Sequence, residues 1–198
     1  MAYPTVSGPY GLIPVKLLSG TPFVGGVYRS MKIASGYNTS IFFGDAVKVV
    51  TGGTVERDAF DAAMTPVGVF MGCKYTDPNL GYELYSQSFP AGTVASDIVA
   101  YVADATELLF KAAVVSSGTT IGDLALTDIG ANVAGVDNTG DSASGNSRGA
   151  ISDTSATTNT LPFRIIGLVE ETKNSSGGYT EAYVKWNAGH QYSNTTGV

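Results

Sequence analysis

Turn-forming residues interrupt this chain at short intervals along its whole length, and that spacing limits what it can fold into. The 198 residues include 25 glycines and eight prolines, which are the strongest local breakers of regular structure. Short apolar runs lie between them, and some, such as residues 27–33, carry apolar side chains at alternating positions. Such runs are typical of half-buried strands. We therefore expect an all-β fold.

The expected strands are bounded by Gly, Pro, Asp or Ser. They span residues 27–33, 40–43, 46–50, 67–75, 81–87, 98–102, 108–115, 162–171 and 180–186. Gly52 and Gly53 predict a tight hairpin between residues 47–50 and 54–56, because two glycines readily adopt positive φ angles. Residues 76–79 predict a turn. Short helices are expected only at 57–64 and 121–133, where an Asp or Thr could act as the cap.

Residues 1–26 predict an extended N-terminal arm. Their four prolines and five glycines forbid a helix and interrupt any central strand. Apolar surface in the arm is unfavourable in water, so the arm should lie on its own domain, on a neighbouring subunit or on a larger shell. The side chains concerned include Tyr3, Tyr10, Leu12, Ile13, Leu17 and Phe23.

The rest of the chain is expected to form a single β-rich domain over residues 27–190, followed by a polar C-terminal tail at 191–198. Within this domain, residues 135–160 contain almost no large apolar side chain. They predict a long, exposed loop rich in Gly, Ser and Thr. Ordering such a loop costs backbone entropy, which favours a role at a surface or between subunits.

Composition argues against several classes of partner. Charged residues make up only 14% of the chain, the net charge is −6 and the pI is about 4.6. Phosphate binding needs clustered Lys and Arg, so nucleic acid is not an expected partner. No apolar run is long enough to span a membrane, and the first residues lack the pattern of a secretory signal. The single cysteine, Cys73, forms no intrachain disulfide and is expected to be a buried structural thiol.

Motifs that carry chemistry are not apparent. The lone His190 lies near the polar tail and is expected to be solvated. Residues 145–149 match G-x-S-x-G, but their polar flanks do not suit a nucleophile elbow. Asp137, Asp141 and Asn146 lack the spacing of a calcium loop. We therefore expect a protein without catalytic residues, cofactor or metal.

Three segments carry a resemblance to a known class of protein. They are the opening AYPTVSGPYGLIPVKLLSG, residues 40–49 (SIFFGDAVKV) and residues 66–73 (PVGVFMGC), with weaker likeness at 100–104, 129–132, 161–168 and 187–190. Together they resemble small virion proteins of tailed bacteriophages, especially aquatic ones. The resemblance implies a head decoration or cement protein built as a small β-barrel, β-tulip or β-sandwich, often a trimer with an extended terminal arm. It implies no catalytic residues.

The expected function is therefore to bind the outer surface of an assembled phage head and stabilise it. The expected partners are the major capsid protein and further copies of the chain as a homotrimer, with assembly in the host cytoplasm. We expect the arm to make the contact, through Tyr3, Tyr10, Leu12, Ile13, Leu17 and Phe23, and it could add a strand to an exposed sheet edge.

Two alternatives stay open, and a third is disfavoured. A host-surface or glycan-binding head fibre, or a lectin-like module, would stack exposed Tyr and Trp186 on sugar. An enzyme would need dispersed carboxylates that the sequence does not single out. A main shell protein is disfavoured, because so little helix is expected.

Overall fold

The computed structural model describes residues 6–24, 28–172, 177–193 and 197. Tyr3 lies outside these described residues. The chain is nearly all β, with 41% strand and 2% helix, and forms a nearly closed, barrel-like sheet and a second sheet. The expected all-β class is confirmed. The strands are β1 (Ile13–Leu17), β2 (Tyr28–Lys32), β3 (Ala46–Val49), β4 (Val55–Arg57), β5 (Gly68–Thr76), β6 (Glu83–Ser86), β7 (Val99–Ala103), β8 (Leu108–Ser117), β9 (Thr120–Ile121), β10 (Asn132–Val133), β11 (Gly135–Val136), β12 (Ala150–Ser152), β13 (Phe163–Leu168) and β14 (Glu181–Trp186).

Most of the expected strands are present, and the predicted hairpin is confirmed. Strands β3 and β4 pair antiparallel around Gly52 and Gly53. Residues 40–43 form only isolated bridges, at Ile41 and Phe43. The helix predicted at 57–64 is wrong, since this described stretch holds only bends and loop after β4. The region 121–133 contains a single 3-10 turn, Leu126–Asp128.

The longest strand, β8, is the centre of the larger sheet. This eight-stranded sheet has the order β10-β13-β14-β8-β12-β11, with β1 and β9 also paired to β8. Strand β1 pairs antiparallel with Leu108–Lys111, and β12 pairs in parallel with Val114 and Val115. Strand β14 pairs antiparallel with residues 109–113. A ten-residue strand thus supports several shorter strands.

The smaller sheet curls into the barrel. Its order is β2-β7-β5-β3-β4, with β6 paired to β5. Its two outer strands approach each other, because Lys32 at the end of β2 forms a parallel bridge with Thr54 just before β4. The barrel core includes Phe70, Phe89 and Val102, all fully buried. Burial of each such side chain contributes about 1.5–3 kcal/mol.

A second core joins the barrel to the larger sheet. Alternate residues of a strand face opposite sides, so Val69 and Phe70 point away from each other. Phe70 enters the barrel core, whereas Val69 and Ala103 pack with Phe110, Phe163 and Trp186 of the larger sheet. We call this the shared core. One wall of the barrel therefore belongs to both layers of the fold.

The prediction of a separate N-terminal arm is wrong for residues 12–17. Ile13–Leu17 form β1 within the larger sheet, and Leu12 is fully buried in the shared core. The backbone N–H of Leu12 donates to the Gly44 carbonyl at 2.9 Å. Gly11, at φ +80°, approaches so closely that a Cβ there would lie 2.5 Å from the Gly44 oxygen. The prolines and glycines that suggested an arm fit the segment to its own domain.

The predicted exposed loop at 135–160 is also wrong in part. Gly135–Val136 and Ala150–Ser152 pair as β11 and β12, and Ser147, Ala150 and Ile151 are buried. The stretches 142–144 and 157–160 are exposed. The sequence signal failed because small residues are buried here, where backbone and aromatic rings approach closely. A Cβ at Gly149, for example, would lie 2.5 Å from the Phe60 ring.

A buried carboxylate holds this segment to the barrel. Asp45, 0% exposed, accepts hydrogen bonds from Ser147 Oγ at 2.6 Å, from the Phe42 amide at 2.9 Å and from Arg57 Nε at 3.1 Å. Arg57 also pairs with Asp137 at 2.5 Å. Burial raises the pKa of Asp45, while Arg57 and the hydrogen bonds act in the opposite direction. We call these groups the Asp45 network.

The predicted polar C-terminal tail begins with residues that are hydrogen-bonded to the barrel. Gln191 accepts from the Val49 amide at 2.7 Å and donates to the Val49 carbonyl at 2.9 Å. Tyr192 donates to Asp104 at 2.9 Å. His190, predicted to be solvated, is only 1% exposed and packs beside Trp186 and Tyr192. That prediction is wrong because the chain turns back onto the barrel after β14.

The Asp45 network predicts a graded loss of stability. Asp45→Ala should lower the free energy of unfolding by about 3 kcal/mol, because it leaves buried donors unpaired while Arg57 keeps Asp137. Ser147→Ala should cost less, since Asp45 retains two donors. Urea denaturation measures both values. Glu83→Gln, which changes a surface ion pair with Lys74, is the control and should change little. Equal effects of Asp45→Ala and Glu83→Gln would contradict the role of the network.

Burial of His190 predicts acid sensitivity. Burial lowers the pKa of this imidazole, and the Val67 backbone and Asp104 act in the opposite direction. The unfolded chain takes up a proton near the ordinary pKa of about 6.5, whereas the folded chain does so only at lower pH. This contribution to stability is therefore present above about pH 6.5 and is lost as the pH falls through the folded pKa.

We expect His190→Gln to reduce the fall in unfolding free energy between about pH 7 and pH 5. Asp45 and Asp58 have raised pKa values because of burial, so the stability that they contribute through this shift is lost as the pH rises. The unchanged protein and His190→Gln both contain these two carboxyl groups. The difference between their pH profiles therefore reports on His190 alone. Urea denaturation at each pH measures it. Identical pH profiles for the two proteins would show that His190 does not contribute.

Candidate binding surfaces

A polar groove of about 660 Å³ lies at the surface of the larger sheet. It lies on the face of the larger sheet that points away from the shared core. Residues 6–10 form one wall and the segment 141–148 another, while Lys111 of β8 and Glu181 of β14 lie between them. Lys111 reaches this face because it follows Phe110, which points into the shared core, and neighbouring strand residues face opposite sides.

A buried carboxylate occupies the base of the polar groove. Glu181 is 3% exposed. Its Oε1 accepts a short hydrogen bond from the Tyr10 hydroxyl and lies 3.0 Å from Lys111 Nζ. Burial, together with the bond to Glu181, raises the pKa of Tyr10 far above its ordinary value. Lys111 also lies 5.7 Å from the Tyr10 ring centroid. The cluster holds the Glu181 side chain in place and keeps the Tyr10 phenol protonated.

The rim of the polar groove presents mixed polar groups on a tight turn. The Asp141 amide donates to the Asn146 carbonyl at 2.9 Å, and the Gly145 amide donates to the Asp141 carbonyl at 2.8 Å. Arg148 lies 3.7 Å from Asp141, with half of its side chain exposed. Asn146 Oδ1 accepts from Gln87 Nε2 at 2.5 Å. The backbone bonds fix the turn and leave donors and acceptors at its surface.

A second surface lies on the outer wall of the barrel, next to Gln87. We call it the tyrosine face and define it by Met71, Lys74, Tyr85 and Tyr101. It borders a groove of about 590 Å³ that also includes Phe43, Gly72 and Cys73. Tyr85 is 65% exposed. Lys74 lies 5.9 Å from the Tyr85 ring centroid and pairs with Glu83 at 2.9 Å. The face is aromatic, and its cation is already neutralised.

A β-bulge produces the tyrosine face. Phe70 pairs with Val102 and Cys73 pairs with Ala100, so β5 has one residue more than β7 between these pairs. The extra residue lets Phe70 and Cys73 both enter the barrel core and places Met71 and Gly72 opposite Tyr101. Gly72 has φ +125°, where other residues are strained. The absence of a side chain at this position opens the groove.

The residues predicted to make the contact do not come together on one exposed surface. Leu12 is fully buried, and Ile13 and Leu17 are half-buried in β1. Tyr10 lines the polar groove. Phe23 makes an edge-on contact with Tyr28, with ring centroids 5.4 Å apart, and Tyr3 lies outside the described residues. This segment acts mainly as part of the sheet.

Sequence reasoning missed Lys111, Glu181, Tyr85 and Tyr101. Strand periodicity offered a signal for some of them. Lys111 interrupts an otherwise apolar run in β8, and Glu181 opens the apolar run of β14. A charged residue inside such a strand must have a partner when buried. No sequence rule pairs these two, because 70 positions separate them and only the sheet register brings them together.

The residues with nucleophilic or basic side chains lie in separate places. Cys73 is buried as predicted, and burial raises its pKa to about 12. Ser147 is buried and donates to Asp45. His190 lies beside Trp186 and Tyr192, where the chain turns back onto the barrel. Within residues 6–24, 28–172, 177–193 and 197, no group of three or more His, Cys, Asp or Glu could hold a metal ion. In the same ranges no helix is long and apolar enough to cross a membrane.

Comparison with known proteins identifies no relative. No family model matches the chain, and neither the curated proteins nor the solved structures include a significant match.

The Glu181 cluster predicts a measurable coupling. Tyr10→Phe keeps the ring but removes the hydroxyl donor to a buried carboxylate, and should lower the free energy of unfolding by about 2 kcal/mol. The loss should shrink in a Glu181→Gln background, where an amide replaces the carboxyl group that accepts from Tyr10. Urea denaturation of the four proteins gives the coupling energy. Additive effects of the two substitutions would contradict the proposed interaction.

Proposed function

We propose that this protein is a decoration or cement protein of a tailed-phage head, which binds the outer surface of the assembled capsid and stabilises it. Its partners in this proposal are the major capsid protein and further copies of itself, as a homotrimer. A protein that binds the assembled lattice more tightly than free subunits lowers the free energy of the lattice by mass action. No catalytic step is required.

The tyrosine face carries this proposal on the structural side. Tyr and Met are enriched in the centres of protein interfaces, and large aromatic side chains often dominate binding energy. Here Tyr85 and Tyr101 stand on strands, beside a groove whose base is formed by backbone at Gly72. Strand pairing fixes the backbone of both tyrosines, so no backbone entropy is lost at these positions on binding.

The position of the face within the fold gives further support. The same barrel wall packs against the larger sheet through Val69 and Ala103 in the shared core. Met71 follows Val69 by two residues on β5 and is only partly buried. Tyr85, on the neighbouring strand β6, is exposed to solvent. An apolar wall that continues past its own core is suited to pack against another protein.

The sequence resemblance supplies the identity of the partner in this proposal. It points to small virion proteins of tailed phages, and the low charge and all-β architecture are compatible with a protein present in many identical copies. The contact is now assigned to the tyrosine face instead of the N-terminal segment, because Leu12 and β1 are built into the protein's own sheet.

Capsid binding tests the proposal directly. Purified protein added to expanded capsids that lack it should bind to saturation at a symmetry-related copy number and raise the temperature at which the capsids open. Tyr85→Ala combined with Tyr101→Ala should weaken this binding at least about tenfold, which corresponds to about 1.4 kcal/mol. Sedimentation of capsids with bound protein measures occupancy.

Leu126→Ala is the matched control. Leu126 is 58% exposed, similar to Tyr85, but lies on the 3-10 turn between β9 and β10, which contacts β13 of the larger sheet. It should bind capsids like the unchanged protein. Absence of saturable binding by the unchanged protein would overturn the proposed function. Binding that survives loss of both tyrosines would instead overturn the assignment of the face.

A further inference from the structure

The polar groove has the features of a ligand site that the proposed function does not use. Its volume of about 660 Å³ lies within the range of about 300–1,000 Å³ that is usual for small-molecule sites. It is separated from the tyrosine face by the segment 141–148, whose Asn146 contacts Gln87. The two grooves share no lining residue.

The charges that line the polar groove balance each other. Two acidic side chains, Asp141 and Glu181, face two basic ones, Lys111 and Arg148. Each base lies near an acid, at 3.0 Å for Lys111 and Glu181 and 3.7 Å for Arg148 and Asp141. A strongly charged ligand would have to compete with one of these pairs. The balance favours a ligand that is neutral and carries both donors and acceptors.

The base of the polar groove leaves one acceptor available. Tyr10 and Lys111 both approach Oε1 of Glu181. Among the described residues none donates a hydrogen bond to Oε2, so this oxygen can accept one from a ligand hydroxyl. Glu181 is 3% exposed, and a hydrogen bond to such a buried carboxylate is stronger than one at the surface. Ligand hydroxyl groups can also meet Asn146 and Ser144 at the rim.

We propose that the polar groove binds a neutral saccharide of one or two rings. Sugar hydroxyls donate and accept at closely spaced positions, which matches a lining of carboxylate, guanidinium, amide and hydroxyl groups. The Tyr10 ring adds an apolar wall for the C–H groups of the sugar. The site is preorganised, because Lys111 and Glu181 stand on paired strands and the backbone bonds of the 141–146 turn fix the rim.

The experiment is a titration of the ¹⁵N-labelled full chain with a panel of neutral mono- and disaccharides, followed by amide NMR. At least one saccharide should shift the amides of the groove walls, with saturation, and leave the barrel amides in place. Arg148→Ala should weaken that binding about tenfold or more, since it removes a rim donor without touching the buried cluster. Lys74→Ala, which removes a cation from the tyrosine face, is the control and should bind normally.

The proposal is independent of capsid binding, because the protein with Tyr85→Ala and Tyr101→Ala should retain its saccharide affinity. It is overturned if no saccharide of the panel shifts the groove amides, or if Arg148→Ala and Lys74→Ala bind equally well. Preferential binding of anionic sugars, included as a second panel, would also overturn it, since the charge balance would then not determine the ligand.

Discussion

The fold depends on a carboxylate that has no access to water. Asp45 follows Gly44 at the point where the chain enters β3, and its oxygens take hydrogen bonds from Phe42, Arg57 and Ser147. These donors come from three separate parts of the chain. An isolated buried charge is very unfavourable, so the three segments must assemble together. Hydrophobic burial is non-directional, whereas this network fixes which segments meet.

Both candidate surfaces follow from that constraint. Ser147 brings the 141–148 segment against the barrel, where the Ser147 amide donates to the Phe43 carbonyl at 2.9 Å. On one side this segment forms the rim of the polar groove with Arg148, and on the other it lies beside Gln87 at the tyrosine face. A change at Asp45 should therefore disturb both surfaces, although neither surface includes the residue.

Sequence reasoning predicted the local structure well where alternation and turn chemistry decide it. The Gly52–Gly53 hairpin and most strands follow from such signals. It failed where distant segments determine the outcome. Ser147, Gly149 and Ala150 have small side chains and looked exposed, but all three are buried, and the Phe60 ring leaves no room for a larger side chain at Gly149. His190 looked solvated, because nothing local shows that the chain returns to the barrel. The Lys111–Glu181 pair depends on sheet register, which no single segment encodes.

The two proposals make different demands on the molecule, and the fold is able to satisfy both. A protein partner needs an open, rigid, aromatic wall, which the β5 bulge provides at Gly72. A saccharide needs a concave site with fixed polar groups, which β8 and β14 provide on the opposite face from the shared core. The 141–148 segment separates the two sites, so a ligand in one need not displace a partner from the other. A head protein with this arrangement could hold the capsid with the barrel wall while the polar groove stays open to a sugar.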